Sequence, residues 1–346
     1  MTGGITGVRS MGGGGDEMRQ LRERRGENQT QFADWLNGQL GRSYTKARIS
    51  RWESGAERIP QQLVDFLTRH KADGRPRSAT YLAVANQKGG VGKTATAVNL
   101  AYALTEGGAR VLLIDCDSQS NATVHVGIGN AAIVALEQQR KTLYYVLRSE
   151  EPLTSVIMPT TESGLDLAPA GLSLADADVE LAADSTGGLI LREKLDEVRH
   201  SYDFVVMDCA PNLGLVTANA LSAAELVVVP VQTEALALLG VKRLVDTIGR
   251  IRRRVNPALR IAGIIPTMYN DRLTQDRATL QELHESYAGQ VPVFDPIPRA
   301  TVYGKAAAAG MITLAGDPKA PGAETFREVA RQIRAYAQNR ETTHVA

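Results

Sequence analysis

Residues 86–94 read Asn-Gln-Lys-Gly-Gly-Val-Gly-Lys-Thr and connect an apolar run, YLAVAN (81–86), to a helical pattern, ATAVNLAYAL (95–104). A strand, a glycine-rich turn, Gly-Lys-Thr and a helix in this order are typical of a phosphate-binding P-loop. The three glycines allow backbone N–H groups to turn toward phosphate oxygens, and the helix start adds the positive end of its dipole. A tight turn without a ligand is the alternative, which the flanking strand and helix disfavour. The segment therefore predicts a site for a nucleoside triphosphate.

The polar side chains of this loop each have an expected role. Lys93 is expected to hold the β- and γ-phosphates of ATP, and the Thr94 hydroxyl is expected to ligate Mg²⁺. The residues expected to contact the nucleotide here are Gly89, Gly90, Val91, Gly92, Lys93, Thr94 and Ala95.

The chain beyond residue 80 alternates short apolar runs with helical patterns. The later runs are RVLLID (110–115), FVVMDC (204–209), ELVVVPV (225–231) and RIAGIIPT (260–267). Because they lack a polar alternation, they fit strands covered on both faces, as in a parallel sheet with crossover helices. We therefore predict an α/β fold with a doubly wound, mostly parallel sheet of the P-loop type, preceded by a small all-α domain.

Length and composition predict more than one domain. The chain has 346 residues, of which 43% are hydrophobic, which suits two domains with a substantial core. We expect a disordered glycine-rich tail over 1–15, a helical domain over 16–71, a linker rich in Gly, Pro and charge over 72–79, and an ATPase domain over 80–340. The expected core of the helical domain is Trp35, Leu36, Ile49, Trp52, Leu63, Phe66 and Leu67.

The net charge of +1 is divided unevenly along the chain. Residues 1–77 contain 14 Lys and Arg against 9 Asp and Glu, and the remaining residues contain 25 against 29. A basic N-terminal region in front of a mildly acidic body suggests an anionic partner, most simply nucleic acid. The competing interpretation is a basic face that is only solvated.

Cysteine usage and the chain start indicate the compartment. The chain contains two cysteines, Cys116 and Cys209, and no paired Cys/His spacing of a zinc site. This usage fits a reducing cytoplasm and argues against a disulfide framework. The first fifteen residues lack the apolar core of a signal peptide, and no uninterrupted apolar run is long enough to span a bilayer. We expect a cytoplasmic protein.

Two predicted strands end in carboxylates. Asp115 and Asp117 close the run RVLLIDCD, and residues two apart on a strand share a face. Two acids beside a triphosphate suit Mg²⁺ hydration and positioning of the attacking water. Asp208 ends the run FVVMD, which is the pattern of a Walker B strand that holds Mg²⁺ through water. The neighbouring Cys116 and Cys209 are interpreted as small buried hydrophobes.

The loop sequence KGGVGKT (88–94) is similar to the deviant Walker A sequence of the ParA/MinD superfamily, and the resemblance covers roughly residues 80–335. In that superfamily the first lysine reaches the ATP of a dimer partner. The resemblance implies that Lys88 acts in trans and that the active form is a nucleotide-sandwich dimer. The family's catalytic acid is the second aspartate of Asp-x-Asp-Pro-Gln-Gly-Asn-Ala-Thr, which implies this role for Asp117. Ser118 and Ser120 replace the Pro and Gly of that pattern.

Later segments extend the resemblance toward the C-terminus. PVQTEALALLG (230–240) resembles the family's Pro-Val-Gln-x-Glu segment. The segments TMYN (267–270) and IPR (297–299) resemble those that frame the adenine. They imply that Asn270 and Pro298 contact the base.

The N-terminal region resembles the Cro/C1-type helix-turn-helix family. The resemblance rests on NQTQFADWL (28–36), on ARISRWESG (47–55) and on the Ile-Pro pair that follows at 59–60. The connection over 37–43 is longer than the usual tight turn. A helical dimerisation module with incidental arginines is the alternative.

The recognition segment of this region has a predicted inner and outer face. Ile49 and Trp52 lie one turn apart and are expected to face the core, which leaves the basic side chains around them free to reach DNA. In this family the first residue of the second helix touches a phosphate. The residues implied to contact DNA are Gln29, Lys46, Arg48 and Arg51.

A second basic surface is predicted on the ATPase domain. Arg243, Arg250 and Arg254 fall on one stripe of a predicted helix, and Arg299 follows the Ile-Pro turn. ParA-type ATPases bind DNA without sequence preference through basic residues in comparable regions when ATP is bound. Relatives often carry another arginine three residues after Arg299, where this chain has Val302. A solvated helix face is the competing interpretation of the stripe.

These patterns favour a ParA-type partition ATPase. The resemblance implies ATP-driven dimerisation, non-specific DNA binding on the nucleoid, and release when a ParB-like partner stimulates hydrolysis. A helix-turn-helix in front of the ATPase resembles plasmid partition ATPases that also repress their own operon. The alternative is a transcriptional regulator whose ATPase domain only senses nucleotide.

Two other branches of the superfamily fit less well. A MinD-like ATPase ends in a short basic amphipathic membrane helix, whereas Phe326, Val329 and Ile333 suit a core-facing helix here, so we expect no membrane partner. A nitrogenase reductase-like electron donor needs cluster cysteines on loops, and Cys116 and Cys209 lie in strand endings.

Overall fold

The computed structural model describes residues 13–24, 27–40, 42–60, 63, 78–183, 186–234 and 237–343. Contacts divide the chain into two units, Met1–Pro76 and Arg77–Ala346. Three predictions lie outside the described residues: most of the glycine-rich tail, the core positions Phe66 and Leu67, and the linker up to residue 77.

The described N-terminal unit contains three helices, α1 (Gly13–Arg24), α2 (Gln29–Leu40) and α3 (Lys46–Glu53). Its buried core consists of Met18, Phe32, Ala33, Leu36, Ile49, Trp52, Ile59 and Leu63. The core prediction is confirmed for Leu36, Ile49, Trp52 and Leu63. Trp35 is only partly buried and lies against the Phe32 ring, with centroids 5.3 Å apart.

The predicted connection over 37–43 is wrong in its first half because α2 continues to Leu40. Leu40 packs against the core, which offsets the low helix propensity of Gly38. Asn37 then fixes the turn that follows. Its side chain donates to the Tyr44 carbonyl at 2.9 Å and accepts from the Tyr44 N–H.

Within the described C-terminal unit, seven strands form one sheet in the order β3-β4-β2-β5-β1-β6-β7. The strands are β1 (Thr80–Val84), β2 (Val111–Cys116), β3 (Met158–Pro159), β4 (Leu165–Ala168), β5 (Phe204–Cys209), β6 (Leu226–Gln232) and β7 (Arg260–Thr267). All neighbouring pairs are parallel except β3–β4, which is antiparallel. The predicted α/β fold with a mostly parallel sheet is confirmed, and the five predicted runs became β1, β2, β5, β6 and β7.

Helices cover both faces of this sheet. They are α4 (Lys93–Thr105), α5 (Asn121–His125), α6 (Asn130–Gln138), α7 (Leu143–Leu147), α8 (Leu153–Val156), α9 (Leu174–Leu181), α10 (Ile190–Leu195), α11 (Leu215–Ala223), α12 (Ala237–Arg254), α13 (Thr274–Tyr287), α14 (Thr301–Ala308), α15 (Thr313–Gly316) and α16 (Ala323–Thr343). Side chains of β2 alternate between two core layers, Leu112 and Ile114 in one, Val111 and Leu113 in the other. Because both layers are apolar, the strand needs no polar alternation.

The strand order places the ends that carry functional groups side by side. β1 lies between β5 and β6, and β5 in turn lies beside β2. Asp208 of β5 is the register partner of both Val84 and Asp115. The loop after β1 and the acids of β2 and β5 therefore meet at the carboxyl edge of the sheet, where open α/β folds bind ligands.

Two interpretations of individual segments are confirmed. Cys116 and Cys209 are register partners, each 1% exposed, as expected for small buried residues. Phe326, Val329 and Ile333 of α16 belong to the core that this helix shares with α4. In the part of the chain that the structure describes, no helix combines the length and apolar character needed to cross a bilayer.

Candidate functional site

Glycines shape the loop between β1 and α4. Gly90 and Gly92 have φ angles of 75° and 80°, a left-handed conformation that glycine adopts without steric cost. The loop leads directly into α4, whose dipole favours an anion at its N-terminus. This geometry agrees with the predicted phosphate-binding stretch from Gly89 through Val91 to Ala95.

Side chains from neighbouring strands hold both sides of this loop. Asn86 donates to the Pro230 carbonyl at 2.7 Å and accepts from the Lys88 N–H at 3.0 Å. The Thr267 hydroxyl donates to the Val91 carbonyl at 2.9 Å. The carboxyl ends of β6 and β7 thus fix the loop before any ligand binds.

Lys93 is buried within the loop, with 7% of its surface exposed. Its Nζ donates to the Lys88 carbonyl at 2.7 Å. Burial lowers the pKa of Lys93, whereas Asp208 and Asp117 act in the opposite direction. A phosphate entering the loop would give this ammonium the compensating charge that burial otherwise denies it.

Lys88 lies on the outside of the same loop. Its side chain is 47% exposed, and its Nζ forms an ion pair with Glu234, in the loop after β6. The two lysines of the loop therefore differ in environment. Lys93 is turned to the loop's own backbone, and Lys88 is turned to a neighbouring loop.

Asp115 is fully buried, and both oxygens of its carboxylate accept hydrogen bonds from neighbouring groups. Oδ1 accepts from the Asp117 N–H at 3.1 Å. Oδ2 accepts from the Thr123 N–H at 2.8 Å and from the Thr123 hydroxyl at 2.7 Å. Burial raises the pKa of Asp115 to about 6, and the bonds from Thr123 oppose the rise. Since both oxygens are engaged, the geometry favours a positioning role, and the metal-binding role of Asp115 stays a prediction.

Asp208 contrasts with Asp115, its register partner. It is fully buried, and neither carboxylate oxygen has a hydrogen bond of normal geometry among the described residues. Burial, followed by the nearby Asp115, raises the pKa of Asp208 well above its usual range, while the Thr94 hydroxyl opposes the rise. A buried carboxylate without a partner is costly unless a cation or water compensates it.

Thr94 and Asp208 fit the requirements of Mg²⁺. This ion takes oxygen ligands, keeps several waters, and is usually bound through one or two protein oxygens together with substrate phosphates. The pair supplies a hydroxyl and an orphaned carboxylate beside the phosphate loop. No group of three or more His, Cys, Asp or Glu side chains in the described residues could hold a metal by itself. The donor set therefore suits a metal that arrives with the nucleotide.

Asp117 follows β2 and is 8% exposed. Its Oδ1 accepts from the Gln119 N–H at 3.0 Å, and its carbonyl accepts from the Ser120 N–H at 2.9 Å. Ser120, which replaces the Gly of the family pattern, has a φ of 55°, in the left-handed region that glycine adopts most readily. For a residue with a Cβ this costs about 1–2 kcal/mol. The serine therefore forms the turn after Asp117 at a cost in strain.

One cavity lies beside the phosphate loop, and a second shares Pro298 and Arg299 with it. The first, of about 300 Å³, is mainly apolar and is lined by Ala95, Pro298 and Phe326 among others. The second, of about 460 Å³, is lined by Asn270, Pro298 and Arg299 among others. Pro298 lines both cavities, and Asn270 lines only the second. The structure brings the two predicted base-contacting residues together at the second cavity, and their contact with a base stays a prediction.

The predicted DNA-contacting side chains of α3 are exposed. Lys46, Arg48 and Arg51 all lie on the surface of the N-terminal unit. Glu57 pairs with Arg48 at 3.1 Å and with Arg51 at 3.3 Å. Exposed pairs of this kind contribute little to stability, so both arginines remain free to exchange Glu57 for a phosphate.

Gln29 has a different neighbour from the one expected. Its Nε2 donates to Glu53 Oε2 at 2.8 Å. Glu53, which is 5% exposed, also accepts from Arg22 Nε at 2.6 Å. This buried carboxylate ties α1, α2 and α3 together, a contact that the sequence analysis missed. A phosphate contact of Gln29 stays a prediction.

The arginines predicted on the ATPase domain are exposed and divided between two places. Arg243, Arg250 and Arg254 lie along α12, which begins after the carboxyl end of β6 and ends before the start of β7, at the opposite edge of the sheet. Arg250 also donates to the Thr247 hydroxyl at 2.7 Å. Arg299 lines both cavities at the nucleotide edge.

Sequence reasoning missed four side chains that build the site. Asn86 and Thr267 hold the phosphate loop, Thr123 holds Asp115, and Glu234 binds Lys88. Glu234 and Thr123 lie in segments that resemble family patterns, which is the signal that could have identified them. No local sequence pattern predicts which groups Asn86 and Thr267 hydrogen-bond to.

A glycine-rich phosphate loop, a buried lysine within it and an orphaned carboxylate beside it define a P-loop ATPase. Residues 79–261 match the family model described as an AAA domain. The chain belongs to the ParA/MinD superfamily, in the ParA/Soj family of partition ATPases. It is an ATPase that uses ATP and Mg²⁺.

Relatives with established names match over most of their length. The chromosome partitioning protein ParA of Caulobacter vibrioides (strain NA1000 / CB15N) is 38% identical over 75% of this chain and 96% of that protein. The sporulation initiation inhibitor protein Soj of Bacillus subtilis (strain 168) is 36% identical over 73% and 98%. The chromosome-partitioning ATPase Soj of Thermus thermophilus is 40% identical over 74% and 96%.

Solved structures agree with the fold. Cobyrinic acid a,c-diamide synthase from Mycobacterium smegmatis, with bound ATP analogue and magnesium, is 35% identical, with a TM-score of 0.62 over 73% of this chain and 93% of that one. The cell division ATPase MinD of Pyrococcus furiosus is 23% identical, with a TM-score of 0.60 over 75% and 99%. The likeness to MinD concerns the fold alone.

Proposed function

We propose that this chain is a cytoplasmic, nucleoid-associated partition ATPase that ATP converts from a monomer into a DNA-binding dimer. The observation that carries the proposal is the contrast between the two lysines of the phosphate loop. Lys93 is buried beside the loop backbone, whereas Lys88 is half exposed and pairs with Glu234 outside its own phosphate site. A lysine placed in this way is accessible to the nucleotide of a second copy. Relatives named for chromosome partitioning support the same function.

The residues of the site divide the work of hydrolysis. Lys93 binds the β- and γ-phosphates, and Thr94 with Asp208 would hold Mg²⁺, which neutralises phosphate charge when bound. Asp117 orients the attacking water. Asp115 keeps Asp117 in place through the hydrogen bond from the Asp117 N–H.

A run of unpaired cations supports DNA binding by the ATPase domain. Residues 242–260 contain seven Lys and Arg and a single acid, Asp246. None of these seven cations makes an ion pair within the part of the chain that the structure describes. By contrast, Arg327, Arg331 and Arg340 of α16 each pair with a glutamate. Exposed cations without acidic partners suit the phosphates of DNA, which need no specific sequence.

The N-terminal unit supplies a second, sequence-specific mode of DNA binding. α3 presents exposed Lys46, Arg48 and Arg51 above a core built on Ile49 and Trp52. A helix with a buried inner face and a basic outer face can enter the major groove. Its target is the operator upstream of the protein's own gene, which this unit represses.

A ParB-like, centromere-binding protein completes the cycle by stimulating hydrolysis and thereby releasing the dimer from DNA. A nucleotide-sensing repressor without a transport role is the second candidate. The helix-turn-helix resemblance of the N-terminal unit favours it, whereas the intact Lys88 and Asp117 favour turnover.

A gel-shift experiment at fixed, stated salt separates the two candidates, because phosphate-driven affinity depends on salt. Random DNA and the DNA upstream of the protein's own gene are each mixed with the full chain in the presence of no nucleotide, ADP, ATP or a non-hydrolysable ATP analogue. Lys88→Ala tests the trans lysine, and Lys93→Ala provides the comparison that removes nucleotide binding itself. Arg331→Gln, at an exposed ion-paired arginine, is the control for Arg250→Gln and Arg254→Gln.

The proposal predicts binding of random DNA only with ATP or the analogue. Lys88→Ala should abolish this binding while ATP still binds, and the two α12 substitutions should lower the slope of log affinity against log salt by roughly 2. Binding confined to the upstream DNA would leave a nucleotide-sensing repressor. Nucleotide-independent binding of random DNA would also contradict the switch.

A further inference from the structure

A buried carboxylate away from the acidic strand ends joins two loops of the site. Asp276 lies in the first turn of α13 and is 7% exposed. Its Oδ2 accepts from the Thr233 hydroxyl at 3.0 Å and from the Asn270 N–H at 2.8 Å. No cation pairs with Asp276 among the described residues, so these two donors and the helix N-terminus compensate its charge.

The two donors come from loops with different tasks. Thr233 directly precedes Glu234, which holds Lys88. Asn270 lines the cavity that it shares with Pro298. One oxygen atom of Asp276 therefore connects the residue next to the Lys88–Glu234 ion pair with a residue of the candidate base site.

We infer that Asp276 is a positioning residue that couples the base-facing loop to release of Lys88 from Glu234. The inference rests on the proposed function, in which Lys88 has to leave Glu234 to reach the nucleotide of a second copy. When the base enters beside Asn270, the shared oxygen transmits the displacement of that loop to Thr233 and Glu234. A carboxylate that only stabilises the fold would bind the same two donors but would not influence the ion pair selectively.

A double-mutant cycle distinguishes coupling from simple stabilisation. Asp276→Ala and the isosteric Asp276→Asn are each made in the wild-type chain and in the Glu234→Gln chain, where the ion pair is already absent. Sedimentation velocity with a non-hydrolysable ATP analogue gives the dimer dissociation constant, and a fluorescent ATP analogue gives the affinity of the monomer. Glu282→Gln, at an exposed acid of the same helix that lines neither cavity, is the matched control.

We expect Asp276→Ala to weaken dimerisation by about tenfold in the wild-type chain, a typical coupling between sites. In the Glu234→Gln chain, Asp276→Ala should change the dimer dissociation constant by less than about twofold. Asp276→Asn keeps an oxygen acceptor and should retain most of the dimer affinity. The smaller loss of dimer affinity that it causes should also disappear in the Glu234→Gln chain. Glu282→Gln should behave as the wild type.

The inference would be overturned if Asp276→Ala lowered the dimer affinity equally in the wild-type and Glu234→Gln chains, or lowered it in neither. If Asp276→Ala fails to fold, the comparison passes to Asp276→Asn, with the same two criteria. A wild-type chain that does not dimerise with the analogue would refute the proposed function itself and the inference with it. A wild-type chain that dimerises while the cycle stays additive would refute only the coupling.

Discussion

Replacing Asp208 with Asn should stabilise the nucleotide-free protein and abolish ATP hydrolysis at the same time. Asp208 is fully buried, and neither of its oxygens has a hydrogen bond of normal geometry among the described residues. A buried polar group left unsatisfied costs about 1–3 kcal/mol, and a charged one costs more. The neutral carboxamide avoids burying a charge next to Asp115. We therefore expect the free energy of unfolding to rise by about 2 kcal/mol at alkaline pH.

The pH dependence of this gain has a defined sign. Burial raises the pKa of Asp208 above its value in the unfolded chain. When a carboxyl group has a higher pKa in the folded state than in the unfolded state, the folded protein is most stable below the unfolded pKa. That stability is lost as the pH rises through the folded pKa. The stabilisation by Asp208→Asn should therefore be small near the ordinary carboxyl range and should grow as the pH rises above it.

Thermal unfolding followed by circular dichroism at acidic and alkaline pH measures this difference. For a chain of 346 residues, a gain of about 2 kcal/mol corresponds to roughly 3 °C in Tm. Asp115→Asn is the matched control, because both Asp115 oxygens already accept hydrogen bonds and the change should destabilise. ATP with Mg²⁺ should raise the Tm of the wild type by more than that of Asp208→Asn, because the variant keeps the phosphate loop but lacks the carboxylate that would hold Mg²⁺. A lower Tm for Asp208→Asn at both pH values would refute the reasoning.

Three further substitutions test separate parts of the structure. Ser120→Gly should raise the free energy of unfolding by about 0.5–1 kcal/mol, because relief of the left-handed strain exceeds the effect of the extra conformational entropy that glycine gives the unfolded chain. An unchanged value in urea unfolding would contradict the strain. Glu53→Gln should cost the N-terminal unit about 3 kcal/mol by leaving Arg22 without its buried partner. Operator binding should then fall while ATPase activity persists, and joint loss of both would argue against separate roles. Thr123→Val removes a hydroxyl that lowers the pKa of Asp115, so the acidic limb of the pH–rate profile should move upward from about 6; an unmoved limb would exclude Asp115 from the rate.

The fold and the phosphate loop could be predicted because their signals are local. The glycines and Lys93 are contiguous in sequence, and their spacing alone specifies the turn and the helix that follows. The apolar runs that became β2 and β5 reveal buried strands without reference to any partner. The two short strands β3 and β4 carry no such run and were not predicted.

The contacts that tune the site could not be predicted in this way. The Asn86 side chain bonds the carbonyl of residue 230, and Asp276 bonds a hydroxyl 43 residues away. Such pairs depend on which strands become neighbours, and no spacing within one segment encodes them. Lys88 shows the limit most clearly, because the resemblance implied its role in a dimer but not its pairing with Glu234 in the single chain.

The central claim is that Lys88 contacts the nucleotide bound to a second copy of the chain. Mixing two inactive variants tests this claim most directly. Lys88→Ala lacks the trans lysine, and Asp117→Ala lacks the residue that positions water, so each variant alone should hydrolyse little ATP. In a mixed dimer, the site on the Lys88→Ala chain keeps its own Asp117 and receives an intact lysine from its partner. With random pairing of equal amounts, ATPase activity should return to about one quarter of the wild-type value, since half of the dimers are mixed and each has one competent site. Activity that stays at the level of the separate variants would contradict a trans role for Lys88.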